Sequence, residues 1–157
     1  MAFEFKIDKK VVLINVAETD KASILKKMAD KLENAGYVKK SFIDGILKRE
    51  EIFPTGLQAN GFGVAIPHTD AEHVNSPMIA IATLKNPVKF NMMGGEKEDK
   101  VDVKIIFMLA MKDGNAQVML LKKLMGVIQD DELLKDIYNA DKVDMLLAIL
   151  NNKYQVK

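Results

Sequence analysis

The chain has 157 residues, no cysteine, and 23 basic against 22 acidic side chains, for a formal charge of +1. That length suits a single domain, residues 1–157, whose core is large enough to need no staples, and the lack of cysteine excludes disulfides, thiolate nucleophiles and cysteine-based zinc sites. The balanced charge argues against nucleic-acid binding, and the lack of a signal-like core or of a ~20-residue apolar run argues for a cytoplasmic protein without direct membrane insertion.

In chain order, Val11 to Val16 is β-branched and apolar, which predicts a buried strand. Thr19 or Asp20 then caps a helix over residues 21–34, whose Ile24, Leu25, Met28, Ala29 and Leu32 recur at helical spacing. Gly36 suits the left-handed position that ends it. A second helix is expected from Ser41 to Glu50, with Phe42, Ile43, Ile46 and Leu47 inward. Its end carries Arg49, Glu50 and Glu51, the two acids reading as a solvated face. Pro54, Gly56, Gly61, Gly63 and Pro67 then break the chain repeatedly, leaving Phe62 to Ile66 room for one short strand. Met78 to Leu84 predicts another strand, turned by Asn86-Pro87, with a short edge strand at Val88 to Phe90. Asn91 to Lys100 reads as a solvated loop. Val101 to Met111 is the strongest strand signal, expected at the centre of the sheet because both faces turn apolar. Helices follow at 116–128, 132–139 and 142–150. The pattern predicts an α/β sandwich, a mixed β-sheet flanked by helices on both faces.

The two histidines of the chain, His68 and His73, both lie in the broken segment. Pro67 holds Ile66 in extended geometry, so His68 is presented at the C-terminal end of a rigid strand. In open α/β sheets that edge is where ligands gather. A neutral imidazole there can act as base, ligand or nucleophile, and an inert strand-end histidine is the plain alternative. Surrounding turns can leave backbone N–H groups free to face an anion. Thr55 adds a hydroxyl and Arg49 a planar donor suited to phosphate. His68, Asp70, Glu72 and His73 are ligand-type residues within six positions, but two histidines five apart do not share a helical face, so no metal is expected. His73 reads as a solvated loop residue. A dinucleotide fingerprint, a Walker motif and a GxSxG elbow are all missing.

The run from Arg49-Glu50 through Pro54-Thr55-Gly56 and Gly61 to Gly63-Val64-Ala65-Ile66-Pro67-His68 resembles the enzyme IIA domain of the phosphoenolpyruvate-dependent sugar phosphotransferase system, fructose–mannitol superfamily. Helix and strand order extend the resemblance over nearly the whole chain, and PHTDAEHVNSP is most like the galactitol-type subgroup. The resemblance implies that His68 takes a phosphoryl group from phospho-HPr and passes it to a cysteine of a cognate IIB, linked in turn to a membrane IIC. Arg49 would steady the active-site loop or the phosphoryl oxygens, Thr55 would donate a hydrogen bond nearby, and Gly63 would belong to the glycine-rich strand. No cofactor is implied, because the phosphoryl group arrives already activated. One departure stands out. Mannitol- and fructose-type members carry a second histidine after the central strand, where this chain has Gln117. Gln117 can donate a hydrogen bond but carries no charge, and His73 is a possible spatial substitute.

Three functions are compatible with the sequence: a phosphocarrier for sugar or polyol uptake, a regulatory IIA paralogue acting through phosphorylation-dependent protein binding, and a metal-dependent hydrolase using His68, Asp70 and His73. As a free-standing domain the protein would meet its partners in trans, with Phe53, Phe62 and some methionines as candidate docking residues.

Overall fold

A computed structural model describes residues 4–156. Its centre is a five-stranded mixed sheet in the order β2 (Val12–Val16), β5 (Met78–Asn91), β6 (Lys100–Ala110), β4 (Gly63–Ala65), β3 (Gly56–Gln58). A two-stranded parallel ribbon, β1 (Glu4–Phe5) with β7 (Gln155–Val156), joins the two ends of the described chain. Helices α1 (Lys21–Asn34) and α2 (Phe42–Ile52) cover one face, and α3 (Gly114–Ile128), α4 (Asp131–Asn139) and α5 (Val143–Lys153) cover the other.

Period-two alternation explains why one sheet serves two cores. Along β5, Ala80, Ala82 and Leu84 pack with α1 and α2, while Ile79 and Ile81 pack with α3 to α5. Along β6, Ile106, Met108 and Ala110 face the first layer and Ile105, Phe107 and Leu109 the second. β6 is the middle strand, antiparallel to β5 and parallel to β4. The expectation of a central strand and of helices on both faces therefore holds.

Helix α1 occupies residues 21–34, as its periodicity predicts, and Asp20 caps it through a 2.9 Å bond from the Ser23 N–H. Gly36 lies at φ +87°, the left-handed conformation expected past that helix. Two expectations fail. Asn86-Pro87 does not turn the chain: β5 runs unbroken from Met78 to Asn91, so Val88 to Phe90 belong to it and form no strand of their own. Its ladder to β6 shifts register between Thr83 and Val88. Pro87, exposed and lacking an N–H, sits where that ladder lapses. Strand β3, which the sequence reading leaves among the breaks, pairs antiparallel with β4, Gly56 opposite Ala65.

Among the described residues, no helix is long and apolar enough to cross a membrane.

Candidate functional site

The site lies at the edge where parallel strands β4 and β6 end. Beyond β4 the chain stays extended, with the Leu109 N–H donating to the Pro67 carbonyl at 2.9 Å and His68 bridging in parallel to Leu109. His68 thus stands at the C-terminal edge of the sheet, half-buried, as its position after Pro67 predicts. Its Nδ1 lies 2.9 Å from the Ile66 carbonyl oxygen. A carbonyl only accepts, so Nδ1 carries the proton and Nε2 keeps its lone pair. Burial holds the His68 pKa below the ordinary histidine value. The Ile66 bond opposes that shift, the Arg49 charge adds to it, and Asp70 opposes it.

The pKa direction has a measurable sign. A lowered value keeps His68 neutral, with Nε2 available, to lower pH than an ordinary imidazole with its pKa of about 6.5. Ring-proton NMR should show His68 taking up its proton only below that value, and Arg49→Ala should move the midpoint upward. A wild-type midpoint at or above about 6.5 would contradict the described environment.

Arg49 comes from the last turn of α2. Its guanidinium lies 5.0 Å from the Phe53 ring centroid, and Nη1 is 3.4 Å from Asp70 Oδ1. Its Nε is buried with no hydrogen-bond partner among the described residues. A partly exposed guanidinium held by a single 3.4 Å ion pair is suited to an arriving anion. A cleft of about 310 Å³ opens beside it, lined by Gly45, Lys48, Phe53, Thr69 and Asp70 among others.

His73 also lines that cleft. It is more packed than a solvated loop residue: Nδ1 shares a 2.7 Å hydrogen bond with Ser41 Oγ, and the ring lies against Gly45 of α2. A Cβ at Gly45 would stand 2.9 Å from Thr69 Oγ1 and 3.1 Å from His73 Cδ2. Glycine inside a helix costs about 1 kcal/mol against alanine; here it admits the 69–73 segment close to α2. That cost is the signal in the sequence by which Gly45 could have been found.

Thr55 and Glu50 differ most from expectation. Glu50 is not on a solvated face: it is 2 % exposed, and Thr55 is 3 % exposed. The Thr55 N–H and hydroxyl both donate to the Glu50 carboxylate, each at 2.7 Å. The Thr55 hydroxyl therefore points to Glu50. The overlooked signal is electrostatic, since an acid in the last turn of a helix opposes the helix dipole and calls for a local partner.

Gly63 is required by contact. A Cβ there would enter the Asp102 carbonyl oxygen and stand 2.6 Å from its carbon. Gln117 lies in the first turns of α3, after the end of β6, with its N–H donating to the Asp113 carbonyl at 2.9 Å. Of the two phenylalanines named as docking candidates, Phe53 is 59 % exposed at the cleft. Phe62 instead meets Tyr138 edge-on at 5.4 Å, beneath Lys104. Among the described residues no three His, Asp or Glu side chains converge as a metal site.

Residues 6–153 match the family model described as "Phosphoenolpyruvate-dependent sugar phosphotransferase system, EIIA 2". The fructose-specific EIIABC component of Bacillus subtilis is 26 % identical over 92 % of this chain, which spans only 22 % of that longer protein. The galactitol-specific EIIA component of Escherichia coli K12 is 25 % identical over 83 % of this chain and 85 % of its own length. In fold, the chain superposes with a TM-score of 0.78 on a structure of Escherichia coli enzyme IIA-mannitol in complex with phosphorylated IIB-mannitol. That match is at 19 % identity and covers 95 % of this chain and 99 % of the other.

Proposed function

The chain belongs to the EIIA 2 family of the phosphoenolpyruvate-dependent sugar phosphotransferase system, and on that premise we propose that it is a phosphocarrier whose acceptor atom is His68 Nε2. Family members are phosphotransferase components that carry a phosphohistidine. The observation that carries the assignment to His68 is the Nδ1–Ile66 hydrogen bond at the strand end, which leaves Nε2 as the free nucleophile.

The proposed sequence is a pair of displacements at phosphorus. His68 Nε2 attacks the phosphoryl group of phospho-HPr; a new N–P bond forms as the donor's N–P bond breaks. A cysteine thiolate of a cognate IIB then attacks, forming an S–P bond and returning the electron pair to Nε2. Transfer through a loose transition state needs alignment and donors for the three peripheral oxygens more than acid–base chemistry. Arg49 supplies the fixed positive charge, from a guanidinium that stays partly exposed. Gln117 stands at the start of the helix that follows β6, where it supplies at most a neutral donor. Residues 1–157 act as one domain in this reading, in the cytoplasm, passing the group through IIB toward a membrane IIC. The match to a galactitol-specific component over most of both chains supports a galactitol-like polyol as the final acceptor.

The test is onward transfer. Protein phosphorylated with labelled phosphate is mixed with a purified galactitol-type IIB, and label is expected on the IIB cysteine within seconds. Retention on this protein, with the IIB competent toward its own IIA, would overturn the carrier role and favour a regulatory one.

His73→Ala should keep most of the acceptance rate. It loses the Ser41 bond, worth about 1 kcal/mol of stability, but not the acceptor. A loss as deep as that of His68→Ala, measured by the same labelling, would show His73 to be essential to transfer.

A further inference from the structure

Glu50 is a carboxylate buried to 2 % exposure at the end of α2, with Thr55 as partner for both oxygens. Burial pushes its pKa up, against the two Thr55 bonds that pull it down. An ordinary helix end has no need of such an acid. The two carboxylate oxygens hold the backbone N–H and the hydroxyl of one residue at once, and these hydrogen bonds tie the end of α2 to the residue that leads into β3.

What lies on either side of this pair gives it a role. Arg49 precedes Glu50 directly on the helix. Thr55 leads into β3, β3 pairs with β4 from Gly56 opposite Ala65, and His68 follows Ala65 by three positions. Between α2 and β3, Phe53 and Pro54 provide only a short surface link.

We propose that Glu50 is a positioning residue of phosphoryl transfer: by gripping Thr55 it holds the end of α2, and with it the Arg49 guanidinium, in register with the strand end that presents His68. Thr55 then acts through Glu50 rather than by touching the phosphoryl group. The inference rests on the reading that Arg49 and His68 work together in the transfer. Misplacement by an ångström is costly in such a step, because the donors must meet the oxygens of a transient geometry.

The test uses Glu50→Ala, Glu50→Gln, Thr55→Val and Arg49→Ala in the full chain, with two readouts. The first is the rate of phosphoryl acceptance from purified phospho-HPr. The second is the NMR titration of His68, which senses Arg49 without any phosphotransfer. Glu50→Ala should slow acceptance about tenfold and move the His68 midpoint upward, in the direction of Arg49→Ala. Combining it with Arg49→Ala should add no further shift. Glu50→Gln should restore both, since its amide oxygen accepts from the Thr55 N–H and its NH₂ donates to the hydroxyl.

A folded Glu50→Ala protein with wild-type rate and midpoint would overturn the proposal. So would a Gln variant as impaired as the Ala variant, which would point to the charge itself. If Glu50→Ala fails to unfold cooperatively, Thr55→Val decides, with smaller changes expected in the same directions and no change in either counting against the idea. Wild-type protein that takes no phosphoryl group would sink the underlying function, yet the His68 titration would still judge the positioning.

Discussion

Gly63→Ala should destabilise the protein by about 3 kcal/mol, the upper end of what forcing extra volume into a packed interior costs. The added methyl has no room, since Asp102 of the neighbouring strand occupies the place of its Cβ and Val101 Cγ1 lies 2.7 Å from it. Backbone atoms of a central strand cannot swing aside as a lysine tail can. The β4–β6 register already shifts between Gly63 and Val64, so the close approach belongs to the way this short strand is seated. For a chain of this length the loss corresponds to a fall in Tm of roughly 6–12 °C. Gly61→Ala makes the comparison. At φ +84° with nothing within 4 Å it meets strain but no clash, so it should cost only about 1 kcal/mol. Thermal unfolding of both variants checks the order; a Gly63→Ala protein as stable as Gly61→Ala would show that β4 can move away from β6. Because β4 carries the chain into His68, Gly63→Ala should also slow phosphoryl acceptance.

His68→Ala should abolish phosphoryl acceptance altogether while leaving a folded protein. The acceptor atom is lost, and His73 is held apart in its own contacts, its Nδ1 bonded to Ser41 Oγ and its ring against Gly45. The structural cost is small. The ring is half-buried and contributes one hydrogen bond, to the Ile66 carbonyl, worth about 1 kcal/mol. Strand pairing beyond β4 survives, since it uses the Pro67 carbonyl and the Leu109 N–H rather than the side chain. Labelling with phospho-HPr and a thermal melt check the two halves. Residual label near the wild-type level would move the acceptor elsewhere, and a melted variant would show that the ring is structural.

Most of the architecture was legible where local signals and tertiary needs coincide. Asp20, the 3.6-residue spacing of Ile24 to Leu32, and Gly36 all specify α1 without reference to the rest of the chain. The long apolar run of β6 reads as a central strand because both its faces are buried. Pro67 likewise put His68 at a strand end. What was hidden depends on contacts between distant segments. Gly56 to Gln58 is too short to read as a strand; it becomes one by pairing with β4, and a Cβ at Gly56 would stand 2.6 Å from the Asn91 carbonyl oxygen. Asn86-Pro87 carries a strong local turn signal, but β5 is paired on both sides of it and runs through. Glu50 looked solvated because burial of an acid is decided by a partner, and Thr55 lies across a helix end whose direction the sequence does not reveal. The same holds for His73, whose packing follows from Gly45.

The most direct test of His68 as the phosphoryl carrier is labelling with enzyme I, HPr and isotopically labelled phosphoenolpyruvate, followed by peptide mapping and NMR of the phosphorylated ring. Acid-labile, alkali-stable label is expected on the His68 peptide, with phosphorus on Nε2 and the Nδ1 proton retained. Label on Nδ1, on another residue, or nowhere while a known IIA is labelled in parallel, would contradict it.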